Sequence, residues 1–155
     1  QGYLNRDIGR LKVDALRDSL FEINPQIICT AINDRYRPNH MRNNDVVFLC
    51  PDKIEVRETV YRTCKDKVRA IFDARCMGET IKVLSVTDEL SHTHYATTFF
   101  TASEAHQGSC TAKMTIYVAN IAAGLLLCQF SKWLRGILPE SELTLSLLSM
   151  ELEVE

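Results

Sequence analysis

The stretch from Asp45 to Arg57 reads DVVFLCPDKIEVR and decides the fold class. Its first part, Val46 to Cys50, is a continuous apolar run followed by a turn, which is typical of a strand buried within a parallel sheet. A helix is predicted to follow from Ile54 to Lys65. Because short strands and helices continue to alternate along the chain, the pattern predicts an α/β fold with a parallel core.

Outward from this stretch, apolar periodicity and turn residues define the remaining elements. They begin with a helix from Gly9 to Ile23, with Asp7 as its N-cap, and a short β-rich run at Ile27–Ile32. A short apolar strand at Val68–Phe72 and a strand at Thr80–Val86 come later. A helix from Ala112 to Trp133, mostly apolar on all sides, precedes a strand pair or one bent strand at Leu143–Val154. Polar loops are predicted at Arg35–Asn44, with one helical turn, and across 88–112.

The composition excludes several classes of protein. The 155 residues are 46% hydrophobic and 25% charged, which excludes a wholly disordered or collagen-like chain. The formal net charge is −2, so a general polyanion-binding surface and a nucleic-acid partner are not expected. Asn120 and Gln129 interrupt the most apolar stretch, Ile116 to Phe130, so neither a membrane span nor a membrane partner is predicted.

The six cysteines contain no C-x-x-C pair. Structural zinc sites normally use such pairs, so no zinc is expected. Cys29, Cys50 and Cys128 lie inside apolar runs and are predicted to be buried thiols. With no secretory signal ahead of them, these features predict a reduced protein in the cytoplasm.

Acidic residues follow two of the predicted strands. Asp52 comes after the run that ends at Cys50, and Asp73 comes after the run that ends at Phe72. Ligands of such sheets usually bind at the carboxyl ends of the strands, so the two carboxylates could hold a metal ion or a ribose. An equally good interpretation is that each aspartate caps the next element, because aspartate is common at N-caps.

Three segments together carry a family resemblance, and they span nearly the whole chain. The first segment is DIGRLKVDALRDSLFEINP, in which Gly9, Lys12 and the Asn24-Pro25 stop match the family pattern. The second is DVVFLCPDKIEVR, in which Asp52 and Arg57 match and Lys53 replaces the usual asparagine. The third is CTAKMTIYVANIAAGLLLCQFSKW, from Cys110 to Trp133. In order and spacing they resemble the ThiF/MoeB and ubiquitin-activating-enzyme (E1-like) superfamily.

The resemblance implies a Rossmann-like mixed sheet with flanking helices. No two glycines lie close enough to form the family's phosphate-binding turn, so we expect the first nucleotide-binding βαβ half to be absent from this chain. Residues 1–155 would then be the C-terminal part of one adenylation domain, with 88–112 as a crossover-type loop within it. We expect this piece alone to be inactive and to bind ATP weakly or not at all.

The resemblance also implies the chemistry and the site. The intact protein would use ATP and Mg²⁺ to adenylate the C-terminal carboxylate of a ubiquitin-like or sulfur-carrier protein. Lys12 would contact the ATP phosphates, Asp52 would hold Mg²⁺, Gln1 would stand where the family has an Arg-Gln pair, and Arg57 would belong to the catalytic set.

Cys110 is the candidate nucleophile for a subsequent thioester, because it lies between a polar segment and a helix start, where the thiolate is favoured. The alternative is a bystander thiol, and Cys76 is a weaker candidate. A homodimer is expected, with the apolar helix near Ile116 to Phe130 at the interface.

Two other functions stay open. One is a non-catalytic protein-interaction module on the same fold, in which Lys12 and Asp52 are only surface charges. The other is an NAD-dependent Rossmann enzyme, which the Gly9-x-x-Lys12 helix and the Asn24-Pro25 stop fit poorly.

Overall fold

The computed structural model describes residues 3–43, 45–100 and 115–155 and divides the chain into two compact units, Gln1–Tyr36 and Arg37–Glu155. In the first unit, helix α1 spans Lys12–Ile23 and ends before Pro25, as predicted. The predicted N-cap is wrong, because Leu11 precedes the helix and Asp7 instead closes a 3₁₀ turn at Asn5–Asp7.

The β-rich run at Ile27–Ile32 does not form a strand. This run has no regular structure, and no strand of the described residues pairs with it. A β-rich run can form a strand only where a neighbour satisfies its backbone groups. The following 3₁₀ turn, Pro38–His40, is the helical turn predicted within the polar loop.

The second unit is built on a five-stranded sheet in the order β1-β2-β3-β4-β5. The strands are β1 Val46–Leu49, β2 Ala70–Met77, β3 Thr80–Val86, β4 Glu142–Ser146 and β5 Glu151–Val154. Only β1 and β2 are parallel, with Leu49 opposite Asp73, and the other pairs are antiparallel. The mixed α/β fold class is confirmed, but the parallel core is limited to this one pair.

Helices cover both faces of this sheet. Helix α2 spans Ile54–Cys64, α3 spans Glu89–Thr97 and α4 spans Ile116–Leu134. The face under α4 carries the apolar core of the unit, whose buried members are Ala70, Phe72, Ile81, Val83, Val118, Ala122, Leu126 and Leu143.

Helix α3 corrects the prediction of a loop across 88–112. Its apolar residues follow no helical stripe, but the Asp88 carboxylate accepts a hydrogen bond from the Ser91 amide at 2.8 Å and caps the first turn. Residues 101–112 of the predicted crossover loop lie outside the described residues.

The predicted burial of the cysteines is wrong. Cys50 and Cys128 are exposed and Cys29 is half-buried, whereas Cys64 is fully buried on α2. The α4 run explains the error for Cys128, because only one side of this apolar helix contacts the sheet. Within the described residues, no helix has both the length and the apolar character that crossing a bilayer requires.

Candidate functional site

The turn between β1 and α2 presents an exposed carboxylate, that of Asp52. The strand ends at Leu49, and α2 begins at Ile54 with Lys53 as its N-cap. Asp52 is exposed and forms no hydrogen bond or ion pair within residues 3–43, 45–100 and 115–155. The capping interpretation of Asp52 therefore fails, and its carboxylate is available to a ligand.

Arg57 is buried behind this turn and is bonded to the backbone around it. Its side chain, on the first turns of α2, is only 6% exposed and donates to the Leu49 carbonyl at 3.4 Å and the Ala74 carbonyl at 3.0 Å. It also donates to the Pro51 carbonyl, immediately before Asp52. Burial, and then the neighbouring Arg75, lower the pKa of Arg57 from its usual value. Arg57 therefore lies at the site but directs its guanidinium into the protein.

Asp73 corrects the prediction of a second acidic strand end. It lies within β2, is 0% exposed, and pairs through Oδ1 with Arg57. Its Oδ2 accepts hydrogen bonds from Arg75 Nε at 2.9 Å and from the Tyr95 hydroxyl at 2.8 Å. Oδ2 is thus occupied by protein donors, and Oδ1, which has no hydrogen-bond partner among the described residues, lies against the Arg57 guanidinium, so Asp73 neither caps a helix nor is free for a metal ion.

Lys12 belongs to the first unit and lines a cavity of about 280 Å³ there. Asp7, also in its wall, is buried and accepts hydrogen bonds from the Leu4 amide at 2.9 Å and from Arg10 at 3.1 Å. Arg10 also pairs with Asp18, and the hydrogen bonds from Arg10 and then from Arg17 lower the pKa of Asp18. No acidic group in the described part of the chain pairs with Lys12, so its ammonium is available to an anion.

The local backbone explains how Lys12 is presented. Gly9 has a φ of +82°, which side-chain-bearing residues rarely adopt, and it lets the chain turn between the 3₁₀ segment and α1. Lys12 is the first residue of α1. The pattern Gly9-x-x-Lys12 therefore corresponds to a turn at Gly9 followed by a lysine at the first position of α1.

Two predicted site residues, Gln1 and Cys110, lie outside the described residues. Of the other thiols considered, Cys76 is in β2 rather than in a loop. Burial raises the pKa of Cys76, and the partial desolvation of Cys50, which still reaches solvent, raises its pKa too; Arg57 opposes both shifts.

The carboxylate chemistry fits Mg²⁺ bound together with a nucleotide. Within the described residues, no group of three or more His, Cys, Asp or Glu side chains could enclose a metal ion. Magnesium is usually held by one or two carboxylates, with substrate phosphates and waters completing its octahedron. A single aspartate in the turn after β1, unpaired among the described residues, suits that mode of binding.

Sequence reasoning did not find the buried network around Asp73. Its members beyond Arg57 are Arg75, Tyr95 and Thr98; Arg75 reaches the Thr98 carbonyl at 3.0 Å and its hydroxyl at 2.9 Å. A usable signal was present, because a charged pair interrupts the apolar run in AIFDARCM. A charge inside a buried strand requires a partner of opposite charge.

Comparison with known proteins gives the family. The model of the ThiF family matches residues 1–153. This chain belongs to the ThiF family. No curated protein gives a significant sequence match.

Solved structures of ThiF-like proteins share the fold at low identity. A crystal structure of E. coli MccB with AMPCPP and MccA is 15% identical, with a TM-score of 0.67 over 99% of this chain and 50% of MccB. Another structure of E. coli MccB gives a TM-score of 0.70 at 14% identity, over 99% of this chain and 49% of MccB. PaaA is 18% identical, with a TM-score of 0.64 over 99% of this chain and 57% of PaaA. This ThiF-family chain therefore spans about half the length of these proteins.

Proposed function

We propose that the intact protein is an E1-like adenylyltransferase that uses ATP and Mg²⁺ to activate a C-terminal carboxylate. The observation that carries the proposal is the exposed Asp52 carboxylate at the turn after β1 of a ThiF-family fold, which has no partner in the described part of the chain. Support for the nucleotide comes from MccB, for which crystal structures with ATP and with AMPCPP exist.

Each available charge has a role in this reaction. Asp52 would hold Mg²⁺, which neutralises phosphate charge, and Lys12 would contact the ATP phosphates. A carboxylate oxygen of the substrate attacks the α-phosphorus, the bond from that phosphorus to the bridging oxygen breaks, and pyrophosphate leaves. Catalysis of this kind depends mainly on positioning and on electrostatic stabilisation of the phosphates. Gln1 stays in the proposal as a nucleotide contact.

The second substrate would be a ubiquitin-like or sulfur-carrier protein. MccB, crystallised with MccA, is a precedent for a second molecule bound by a ThiF-like protein. The Cys110 thiolate would then attack the acyl carbon and release AMP, leaving a thioester. A homodimer also belongs to the proposal, and the exposed apolar side chains of α4, such as Tyr117 and Leu127, support an interface there.

The decisive test is ATP–pyrophosphate exchange by the intact protein in the presence of candidate carrier proteins. We expect Asp52→Asn and Lys12→Ala to lower the exchange rate on the order of 100-fold, because each removes a charge that stabilises the phosphates. The matched control is Asp66→Asn, which removes an exposed carboxylate just beyond the far end of α2 and should leave the rate unchanged.

Two outcomes contradict the proposal. If wild-type protein binds a carrier protein but exchanges no pyrophosphate, the non-catalytic interaction module is the better description. If Asp52→Asn and Asp66→Asn behave alike, Asp52 does not hold the metal ion. For the later step, Cys110→Ala should abolish a thioester band on a gel run without reducing agent, and an unchanged band excludes Cys110.

A further inference from the structure

Asp73 is a buried carboxylate held between two arginines. It lies among apolar neighbours of β2, fully buried, between Arg57 and Arg75. Removing charges from water is costly, and an apolar residue of similar volume often serves stability as well as a buried ion pair does. What distinguishes this network from an apolar core is therefore that it fixes the positions of the groups bonded to Asp73.

One arm of the network ends at the turn that carries Asp52. Arg57 pairs with Asp73 and at the same time donates to the Leu49, Pro51 and Ala74 carbonyls. These contacts fix the backbone on both sides of the β1 exit. They also keep the guanidinium of Arg57 turned away from the Asp52 carboxylate.

The other arm ends at the C-terminus of α3. Arg75 donates to Asp73 and to both the carbonyl and the hydroxyl of Thr98, and its guanidinium carbon lies 5.3 Å from the centre of the Tyr95 ring. The Tyr95 hydroxyl donates to Asp73 from the same helix. The last turn of α3 is thereby tied to the same carboxylate as the Asp52 turn.

We propose that Asp73 is a positioning residue that keeps Arg57 away from Asp52 and holds the Asp52 turn and the end of α3 in one fixed arrangement. The inference rests on the proposed function only in assigning the Mg²⁺ to Asp52. Without the charge of Asp73, Arg57 and Arg75 repel each other across a space that no longer holds an anion. Arg57 then gains by turning toward Asp52, the carboxylate next to the Pro51 carbonyl that it already contacts, and competes with Mg²⁺.

The first experiment measures how pyrophosphate exchange by the intact protein depends on Mg²⁺ concentration. We expect Asp73→Asn, which keeps the volume and removes the charge, to raise the half-saturating Mg²⁺ concentration about tenfold. The rate at saturating Mg²⁺ should fall much less. The matched control is Phe72→Leu, a change at the adjacent buried residue on the opposite face of β2, which costs stability but should leave the Mg²⁺ dependence unchanged. A Mg²⁺ dependence of Asp73→Asn equal to that of the control overturns the inference.

The second experiment needs no enzymatic activity, so it separates failure of this inference from failure of the proposed function. Amide hydrogen exchange is followed in residues 49–53 and 96–100 of the intact protein. Asp73→Asn should speed exchange in both segments. Arg57→Lys should affect mainly the first segment and Arg75→Lys mainly the second, because a lysine retains the charge but cannot make all the bonds of the guanidinium.

The two lysine variants also decide the matter if Asp73→Asn does not fold. Selective loosening of one segment by each lysine variant supports the two-armed network. Equal exchange in wild type and variants, or uniform loosening of the whole sheet, contradicts it. If the wild type shows no pyrophosphate exchange but the segments respond as described, the proposed function fails and the positioning role stands.

Discussion

Arg57→Ala tests whether this arginine supports the fold of the site. The guanidinium is nearly buried and Asp73 is fully buried, so the substitution leaves a buried carboxylate with one cation fewer and three backbone carbonyls without this donor. Breaking a buried ion pair costs about 3–5 kcal/mol. Because Asp73 retains Arg75 and Tyr95, we expect a loss near the lower end, about 3 kcal/mol in the free energy of unfolding.

The assay is a urea titration of this chain followed by the fluorescence of Trp133, its single tryptophan, which lies 6.3 Å from the Phe72 ring in the core. With a slope of about 1.5–2 kcal/mol per molar urea, the expected loss lowers the midpoint by about 1.5–2 M. The control is Arg62→Ala on the same helix. Its side chain is 73% exposed and, among the residues that the structure describes, pairs only with Glu58, so the change should cost at most about 0.5 kcal/mol. Equal midpoints for the two variants would refute the supporting role and favour direct contact of Arg57 with the nucleotide.

Three further predictions follow from single features. Asp88→Ala should destabilise the protein by about 1 kcal/mol at pH 7. The hydrogen bond from the Ser91 amide holds the pKa of Asp88 in the folded protein below its usual 3.8, so the stabilisation is complete above pH 3.8 and is lost as the pH falls through the lower folded pKa. The urea unfolding curves of wild type and Asp88→Ala should therefore converge in acid. Native Cys128 should react with iodoacetamide at pH 8 while Cys64, whose pKa burial raises to about 11, is spared; equal labelling by peptide mass spectrometry contradicts this. Gly78→Ala should lower the free energy of unfolding by about 1–2 kcal/mol in the same urea assay, because the φ of Gly78 is +59°, which alanine rarely adopts. The cost comes from the backbone alone, since the added Cβ would contact nothing within 4 Å. An unchanged midpoint would contradict that estimate.

The sequence predicts best the elements whose burial pattern is regular. Helix α2 and strand β3 match their predicted bounds almost residue for residue. The main error in the predicted topology is that β2 and β3 form an antiparallel hairpin through the turn before Thr80. The run in β2 was predicted to end at Phe72, because Asp73 and Arg75 interrupt its apolar pattern, whereas the strand continues to Met77 and enters a tight hairpin at Gly78. A short gap between strands indicates a hairpin, and the truncated prediction concealed it.

Tertiary contacts determine the parts that periodicity could not predict. Helix α3 is rich in Ser, Thr and His, which are weak helix formers, and its sequence lacks an apolar stripe. Its stability comes from the Asp88 cap and from Tyr95, which is buried and bonded to Asp73 on a different element. Likewise, the role of Asp73 depends on two arginines, one from α2 and one from its own strand. Only the folded chain brings these charges together.

The candidate site divides into residues available for chemistry and residues that build their surroundings. Asp52 and Arg57 are close in sequence and opposite in charge, so an ion pair between them is the simple expectation. In the structure the arginine is instead bound by Asp73 and by backbone carbonyls, and Asp52 has no ion-pair partner in residues 3–43, 45–100 and 115–155. An aspartate that must receive a metal ion works better without a competing cation.

Asp52→Asn should therefore affect mainly pyrophosphate exchange, and Arg57→Ala mainly the free energy of unfolding. Asp52→Asn changes an exposed group that has no partner among the described residues, so the free energy of unfolding should change by no more than about 0.5 kcal/mol while pyrophosphate exchange falls on the order of 100-fold. Arg57→Ala should reduce stability first, and any activity that it retains should saturate at higher Mg²⁺ because the Asp52 turn is no longer fixed. Urea titration and exchange kinetics on the same two variants decide between this division and a shared catalytic role. If Asp52→Asn is the more destabilising change, Asp52 has a structural partner and is not the free carboxylate on which the proposed chemistry depends.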